Sequence, residues 1–232
     1  CEKLTPRPKI LNLNYPHNPT THTVDNGFFE EVVRLAKRFG FYVIHDFAYG
    51  LTTFEGYRAP SFLEVPGAKE VGVETLTMSK GYNMAGWRVG YVSGNRDMIK
   101  VLASIKGYYD YGIFQAIQIA SVIALRHGDE AIEEQATIYR RRRDVLVDGL
   151  NRAGWDIPKP KGSMFVWAPI PGPYRDMGSI EFAIKSLKEA EVALAPGVGF
   201  GDDGEGYLRI ALVENEERLR QAVRQLKRTF PC

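Results

Sequence analysis

The stretch from Asp25 to Ile44 constrains the fold more than any other part of the chain. Phe28, Phe29, Val32, Val33, Leu35 and Ala36 recur at helical spacing. Asp25 or Asn26 can cap the first turn, so the pattern predicts a helix to about residue 38. Gly40 ends it, and Phe41-Tyr42-Val43-Ile44-His45 follows at once. That unbroken apolar run suits a strand covered on both faces of a parallel sheet. A strand-like run over 9–15, closed by the turn material of 16–21, comes before the helix. Strand, helix, strand with short loops is a βαβ unit, so the front of the chain reads as α/β. Two more strands are expected over 74–78 and 88–93.

Beyond Asn95 the texture changes. The pattern predicts a short helix over 98–105, an apolar helix over 115–125 and a long charged one from 129 to about 153, stopped by Gly154. Strands are expected over 155–157, 164–168, 192–194 and 207–212, with helices over 179–189 and 215–229. This reads as a small α+β domain. The expected division is residues 1–130 and 131–232, with no internal repeat.

Bulk properties exclude several classes. Lysine and arginine number 30 against 28 acidic residues, for a net charge of +2. No electrostatic case exists for nucleic acid or an anionic membrane surface. No apolar run approaches the ~20 residues of a membrane span, and the first ten residues lack a signal-peptide core. Cysteine occurs only at Cys1 and Cys232, which argues against a secreted disulfide framework and for the cytoplasm; a pairing of the two stays open. His17, His22, His45 and His127 lack metal-ligand spacing, so they read as structural or exposed and no metal is expected. The run Arg140 to Arg143 reads as a solvated helix face. Tyr108, Tyr109, Tyr111 and Phe114 read as core or dimer contact.

Ligands of open α/β sheets bind beyond the carboxyl ends of the strands. That rule selects Asn18, Asp46, Tyr49, the segment Thr77-Met78-Ser79-Lys80, and Arg88. A lysine amine among small residues can bond an aldehyde. A carboxylate such as Asp46 can keep a pyridine nitrogen protonated. Asn18 and Tyr49 can donate to a phenolate oxygen, and Arg88 with Thr77 can hold a phosphate. Together these groups suit pyridoxal 5'-phosphate.

Asn18-Pro19-Thr20, Asp46-x-x-Tyr49 and Ser79-Lys80-x-x-x-x-x-Gly86-x-Arg88-x-Gly90 resemble the class I and II aminotransferases of the fold-type I pyridoxal-phosphate superfamily. The likeness runs from Leu11 to about Ala211. The segments NYPHNPT, HDFAYG and SKGYNMAGWRVG look like the bacterial alanine aminotransferase branch, beside enzymes acting on aspartate or LL-diaminopimelate. The resemblance implies that Lys80 anchors the cofactor and shuttles the substrate proton. It implies that Asp46 pairs with the ring nitrogen, with Asn18 and Tyr49 at the ring oxygen. Thr77, Ser79 and Arg88 fall at the phosphate, and Arg209 grips the substrate α-carboxylate beside Asn18. The implied reaction is a ping-pong exchange between an amino acid (alanine, glutamate or aspartate) and a 2-oxo acid, in a homodimer. By the same resemblance the chain is a C-terminal part, holding the end of a large domain with a mostly parallel sheet and a small α+β domain. A C–S lyase of the same fold and a non-catalytic effector-binding module are the competing expectations.

Overall fold

The computed structural model describes residues 6–232. Cys1 lies outside the described residues, and with it the question of its pairing to Cys232. Two compact units are present, residues 1–16 with 23–136 and residues 17–22 with 137–232.

Unit 1 is built on a four-stranded sheet in the order β1 (Ile10–Asn14), β2 (Tyr42–Asp46), β3 (Gly72–Thr77), β4 (Gly90–Gly94). The first three strands are parallel, and β4 returns antiparallel beside β3. Helix α1 (Asn26–Phe39) joins β1 to β2. Asp25 caps it by accepting from the Phe28 N–H, and Gly40 ends it at φ 70°, a left-handed conformation cheap only for glycine. Phe29, Val32, Val33 and Ala36 of α1 pack with Phe41, Val43 and Phe62 in one buried cluster. Burial along β2 alternates, and Tyr42 is exposed, so the expectation of a strand covered on both faces is not met in this unit.

The short helix α2 (Ala68–Val71) leads directly into β3. After β4 come α3 (Arg96–Tyr109), α4 (Gln115–His127) and α5 (Asp129–Asn151). Helix α3 is longer than its pattern suggested. Asn95 caps it, accepting from the Asp97 and Met98 N–H groups, and the helix runs through Gly107 despite that residue's weak propensity. Tyr108, Tyr109, Tyr111 and Phe114 are 73–94% exposed, which corrects the expectation of core placement: they stand at the end of α3 and in the link to α4, and no described element covers them.

Unit 2 holds a three-stranded antiparallel sheet, ordered β5 (Phe165–Pro169), β7 (Tyr207–Ala211), β6 (Ala195–Pro196). Val166, Ala168, Leu208 and Ile210 are buried with Leu146, Val147 and Leu150 of α5. Phe182 of α6 (Ser179–Lys185) and Leu219 and Leu226 of α7 (Glu216–Thr229) complete that core.

Two expected strands are absent, for one physical reason. At 155–157 the Asn151 side chain satisfies the backbone, accepting from the Ile157 N–H at 2.8 Å and donating to its carbonyl at 3.0 Å. At 192–194 the end of the preceding helix does so: the Val192 N–H donates to the Ser186 carbonyl and the Ser186 hydroxyl donates to the Val192 carbonyl. A backbone satisfied locally has no demand left for a neighbouring strand.

The arginine run is corrected in part: Arg140 and Arg141 are exposed as expected, and the two that follow are drawn inward. Arg143 is fully buried, donating to the Pro160 carbonyl and Asp144, and Arg142 donates to the Leu212 and Val213 carbonyls. Arginine serves here as a buried multi-donor tie between α5 and the loops beside it.

Candidate active site

In unit 1 the parallel register aligns Asn14, Asp46 and Thr75 across the carboxyl edge of the sheet. Asn14 donates its side-chain amide to the Asp46 carbonyl at 2.8 Å. The Asp46 carboxylate receives the Ala48 N–H at 3.2 Å and the Thr75 hydroxyl at 3.4 Å, both at Oδ1. No described hydrogen bond engages Oδ2. One oxygen is therefore tethered by the fold, while the other keeps its acceptor capacity. The turn that follows carries Tyr49, which is 7% exposed.

Lys80 stands on the turn just after β3, half-buried, and its amine makes no hydrogen bond or ion pair among the described residues. Two local devices shape that turn. The Thr77 hydroxyl accepts from the Ser79 N–H at 3.1 Å, and the Asn83 N–H reaches the Lys80 carbonyl at 3.2 Å. Gly81 is there because of proximity. A Cβ at this position would sit 2.7 Å from Leu51 Cβ, so only glycine lets the Lys80 turn lie against the turn that follows Asp46 and Tyr49.

Arg88 departs from its expected place at the opening of a strand. It lies two residues before β4, exposed, in a left-handed conformation at φ 53° and ψ 47°. Its Nη1 donates to the Ala85 carbonyl at 3.1 Å. The strand starts at Gly90, where a Cβ would stand 2.7 Å from the Leu76 carbonyl oxygen. A left-handed arginine costs about 1–2 kcal/mol. Backbone strain of this kind concentrates at functional positions.

In unit 2, Arg209 donates from Nη1 to the Asn18 Oδ1 at 2.9 Å, across 191 residues of sequence. A guanidinium only donates, so Oδ1 is the accepting atom and the Asn18 amide nitrogen points its donors elsewhere. The Arg209 guanidinium lies over the Phe165 ring at 4.3 Å and the Phe200 ring at 4.5 Å. Two aromatic faces thus fix the plane of the fork. The loop that presents Asn18 is held by His17 Nδ1 and the Thr20 hydroxyl at 2.7 Å, and burial, with His22 nearby, lowers the His17 pKa.

The sequence did not reveal Phe165, Phe200, Thr75 or Glu74. Glu74 had a usable signal, being the one charged residue of its strand. The phenylalanines had none, since 35 residues separate them. Among the described residues no group of histidine, cysteine or acidic side chains could hold a metal ion, and no helix is long and apolar enough to cross a membrane.

A family model described as aminotransferase class I and II matches residues 1–226. The chain belongs to this family. Among curated proteins, the class I and II aminotransferase chain is 51% identical over 225 residues to the glutamate-pyruvate aminotransferase AlaC of Escherichia coli K12, covering 97% of this chain and 55% of that protein. It is 47% identical to the LL-diaminopimelate aminotransferase of Moorella thermoacetica, covering 97% and 57%. Among solved structures, substrate-bound BacF of Bacillus subtilis matches with a TM-score of 0.91 and 36% identity, over 96% of this chain and 56% of that one. The chain therefore spans little more than half the length of the relatives it matches. The family is pyridoxal-phosphate-dependent. The donor set of unit 1 fits that cofactor: an amine without a partner among the described residues, a half-tethered carboxylate at the strand edge, and an exposed arginine.

Proposed function

We propose that the protein represented by this chain is an aminotransferase that moves an amino group between an amino acid and a 2-oxo acid. The observation that carries this reading is the Arg209–Asn18 hydrogen bond, with the guanidinium sandwiched between Phe165 and Phe200. It presents a rigid, planar cationic fork suited to a carboxylate, which every amino acid and 2-oxo acid carries. Pyridoxal phosphate, when bound, supplies an electron sink for the bond broken at the substrate Cα. Lys80 is the covalent anchor, and its Nζ takes and returns the Cα proton. Asp46 offers Oδ2 to the ring nitrogen and stabilises the proton there. The Tyr49 hydroxyl donates to the ring oxygen. Thr77, Ser79 and Arg88 hold the phosphate.

The exchange runs in two stages. The donor amino acid leaves as a 2-oxo acid, and a second oxo acid then takes the amine. Alanine with glutamate is the preferred pair, supported by the AlaC identity, with LL-diaminopimelate second through the Moorella relative. The same reading places the enzyme in the cytoplasm as a homodimer. Exposed Val101, Ile105, Ile119 and Ile123 on α3 and α4 support association, because apolar surface of this extent is usually covered.

The test treats the purified chain with pyridoxal phosphate, reduces it with borohydride and locates the adduct by peptide mass spectrometry. A single adduct on Lys80 is expected. Labelling scattered over surface lysines, with Lys80 unmodified, would overturn the assignment of Lys80. Spectra of the half-reaction with alanine, aspartate and cystathionine then identify the substrate; elimination products alone would make the protein a C–S lyase instead.

A further inference from the structure

The roles assigned above leave one buried polar pair unused. His45 and Glu74 are partners in the β2–β3 register, 0% and 9% exposed. Glu74 Oε2 lies 2.9 Å from His45 Nδ1 and also accepts the Phe62 N–H at 2.8 Å. Its Oε1 accepts the Ser61 hydroxyl at 2.8 Å. On the other side of the ring, His45 Nε2 stands 3.2 Å from the Tyr15 carbonyl oxygen.

Counting donors fixes the ring. A carbonyl oxygen only accepts, so Nε2 carries a hydrogen. The Nδ1–Oε2 contact needs one more, because without it two lone pairs would face each other in a buried site. The ring is therefore engaged at both nitrogens, and Phe29 and Phe47 flank it at 4.8 and 5.2 Å. It can neither rotate nor flip without leaving a buried polar group unpaired. From β2, one residue before Asp46, this side chain reaches Tyr15 just after β1 and Glu74 on β3, and Glu74 in turn holds the turn at Ser61.

We propose that His45, locked by Glu74, is a positioning residue for Asp46. It holds the end of β2 so that the Asp46 carboxylate keeps a fixed place at the strand edge. The inference rests on the cofactor role proposed for Asp46, and its primary readouts do not need the cofactor. The side chains of His45 and Asp46 point to opposite sides of the strand, so the effect passes through the backbone.

The test compares the chain with its Glu74→Gln and Glu74→Leu variants. Glutamine can set its amide oxygen where Oε2 stands, accepting from the Phe62 N–H and from Nδ1–H, with its amide nitrogen donating to the Ser61 hydroxyl oxygen, so it keeps the geometry; leucine removes it. The first readout is the nitrogen NMR spectrum of the His45 ring without cofactor. A protonated Nε2 in the unsubstituted chain, with the Nδ1 signal moved in Glu74→Gln, is expected. A ring lacking the Nε2 proton would overturn the proposal. The second is amide exchange at Ala48, whose N–H reports the Asp46 carboxylate. Faster exchange in Glu74→Leu, restored in Glu74→Gln, is expected; equal exchange in all three would refute positioning. If the leucine variant does not fold, the ring spectrum and Ala48 exchange of the glutamine variant decide alone, with slow exchange required. Cofactor affinity is the third readout. It should fall about tenfold in Glu74→Leu, the loss usual when the outer partner of a liganding group is removed. A chain that takes up no cofactor while the first two readouts behave as expected would sink the functional proposal and leave the His45 lock standing.

Discussion

Replacing Gly81 by alanine tests whether the Lys80 turn is pressed against the turn after Asp46. The new Cβ would lie 2.7 Å from Leu51 Cβ and 2.9 Å from Leu51 Cδ1. Carbon atoms rest at about 3.5–4.0 Å, so roughly 1 Å of overlap must be relieved. Leu51 Cβ is fixed to its backbone, which makes the relief a movement of one turn against the other. Overpacking of this kind costs about 1–3 kcal/mol. A gain of about 0.4–1 kcal/mol opposes it, because alanine restricts the unfolded chain and Gly81 does not hold a left-handed φ. The overlap wins, leaving a net loss of about 1–2 kcal/mol. With a urea dependence of about 1–3 kcal/mol per molar, the midpoint should fall by roughly 0.5–1 M. The assay is urea unfolding followed by hydrogen exchange in peptides from β2 and β3, so that only unit 1 is read. The double variant Gly81→Ala, Leu51→Gly, which removes the Cβ that is met, should lose less than the sum of the two single substitutions, since contacting sites couple. If Gly81→Ala is as stable as the parent, or if the two substitutions add without coupling, the close approach of the turns is wrong.

Arg209→Lys keeps the charge but loses the planar fork and both ring contacts; removing one charge-assisted hydrogen bond of about 1.5–3 kcal/mol should weaken amino-acid binding about 10–100-fold in the half-reaction, and an unchanged affinity would remove Arg209 from the carboxylate. Asn215→Ala should destabilise unit 2 by about 1 kcal/mol in thermal unfolding, because Asn215 accepts the Arg218 N–H at the start of α7. Glu205 gives a pH signature. Hydrogen bonds from the Gly206 N–H, the Ser179 N–H and the Ser179 hydroxyl hold its carboxyl below the usual range. Its contribution is therefore present above the ordinary carboxylate pKa and is lost as the pH falls through the lower folded value. Glu205→Gln should flatten that acid limb of unit 2 stability, and an unaltered limb would show that Glu205 contributes nothing to it.

Much of the architecture was legible because its causes are local. The helix from Asn26 to Phe39 announces itself by apolar spacing, the Asp25 cap and Gly40, and α7 by Asn215 and a periodic apolar face. The failures at 155–157 and 192–194 share a cause that periodicity does not contain. Short apolar runs pair as strands only if nothing nearby satisfies their backbone, and Asn151 and Ser186 do so here. Arg143 shows the reverse case: a charged run reads as solvated until the carbonyl of Pro160 and the carboxylate of Asp144 turn out to stand beside one member of it.

The sequence by itself determined the family, the α/β beginning of the chain and the identity of the chemical groups, because residue type and order carry those directly. The tertiary structure alone decided which atoms meet. It set the amide of Asn18 against Arg209, placed Phe165 and Phe200 on the guanidinium, tied one oxygen of Asp46 and paired His45 with Glu74. Those contacts join residues up to 191 positions apart. Hydrogen bonds and ring contacts act over a few ångströms of space, and separation along the chain carries no information about such distances until the backbone has folded.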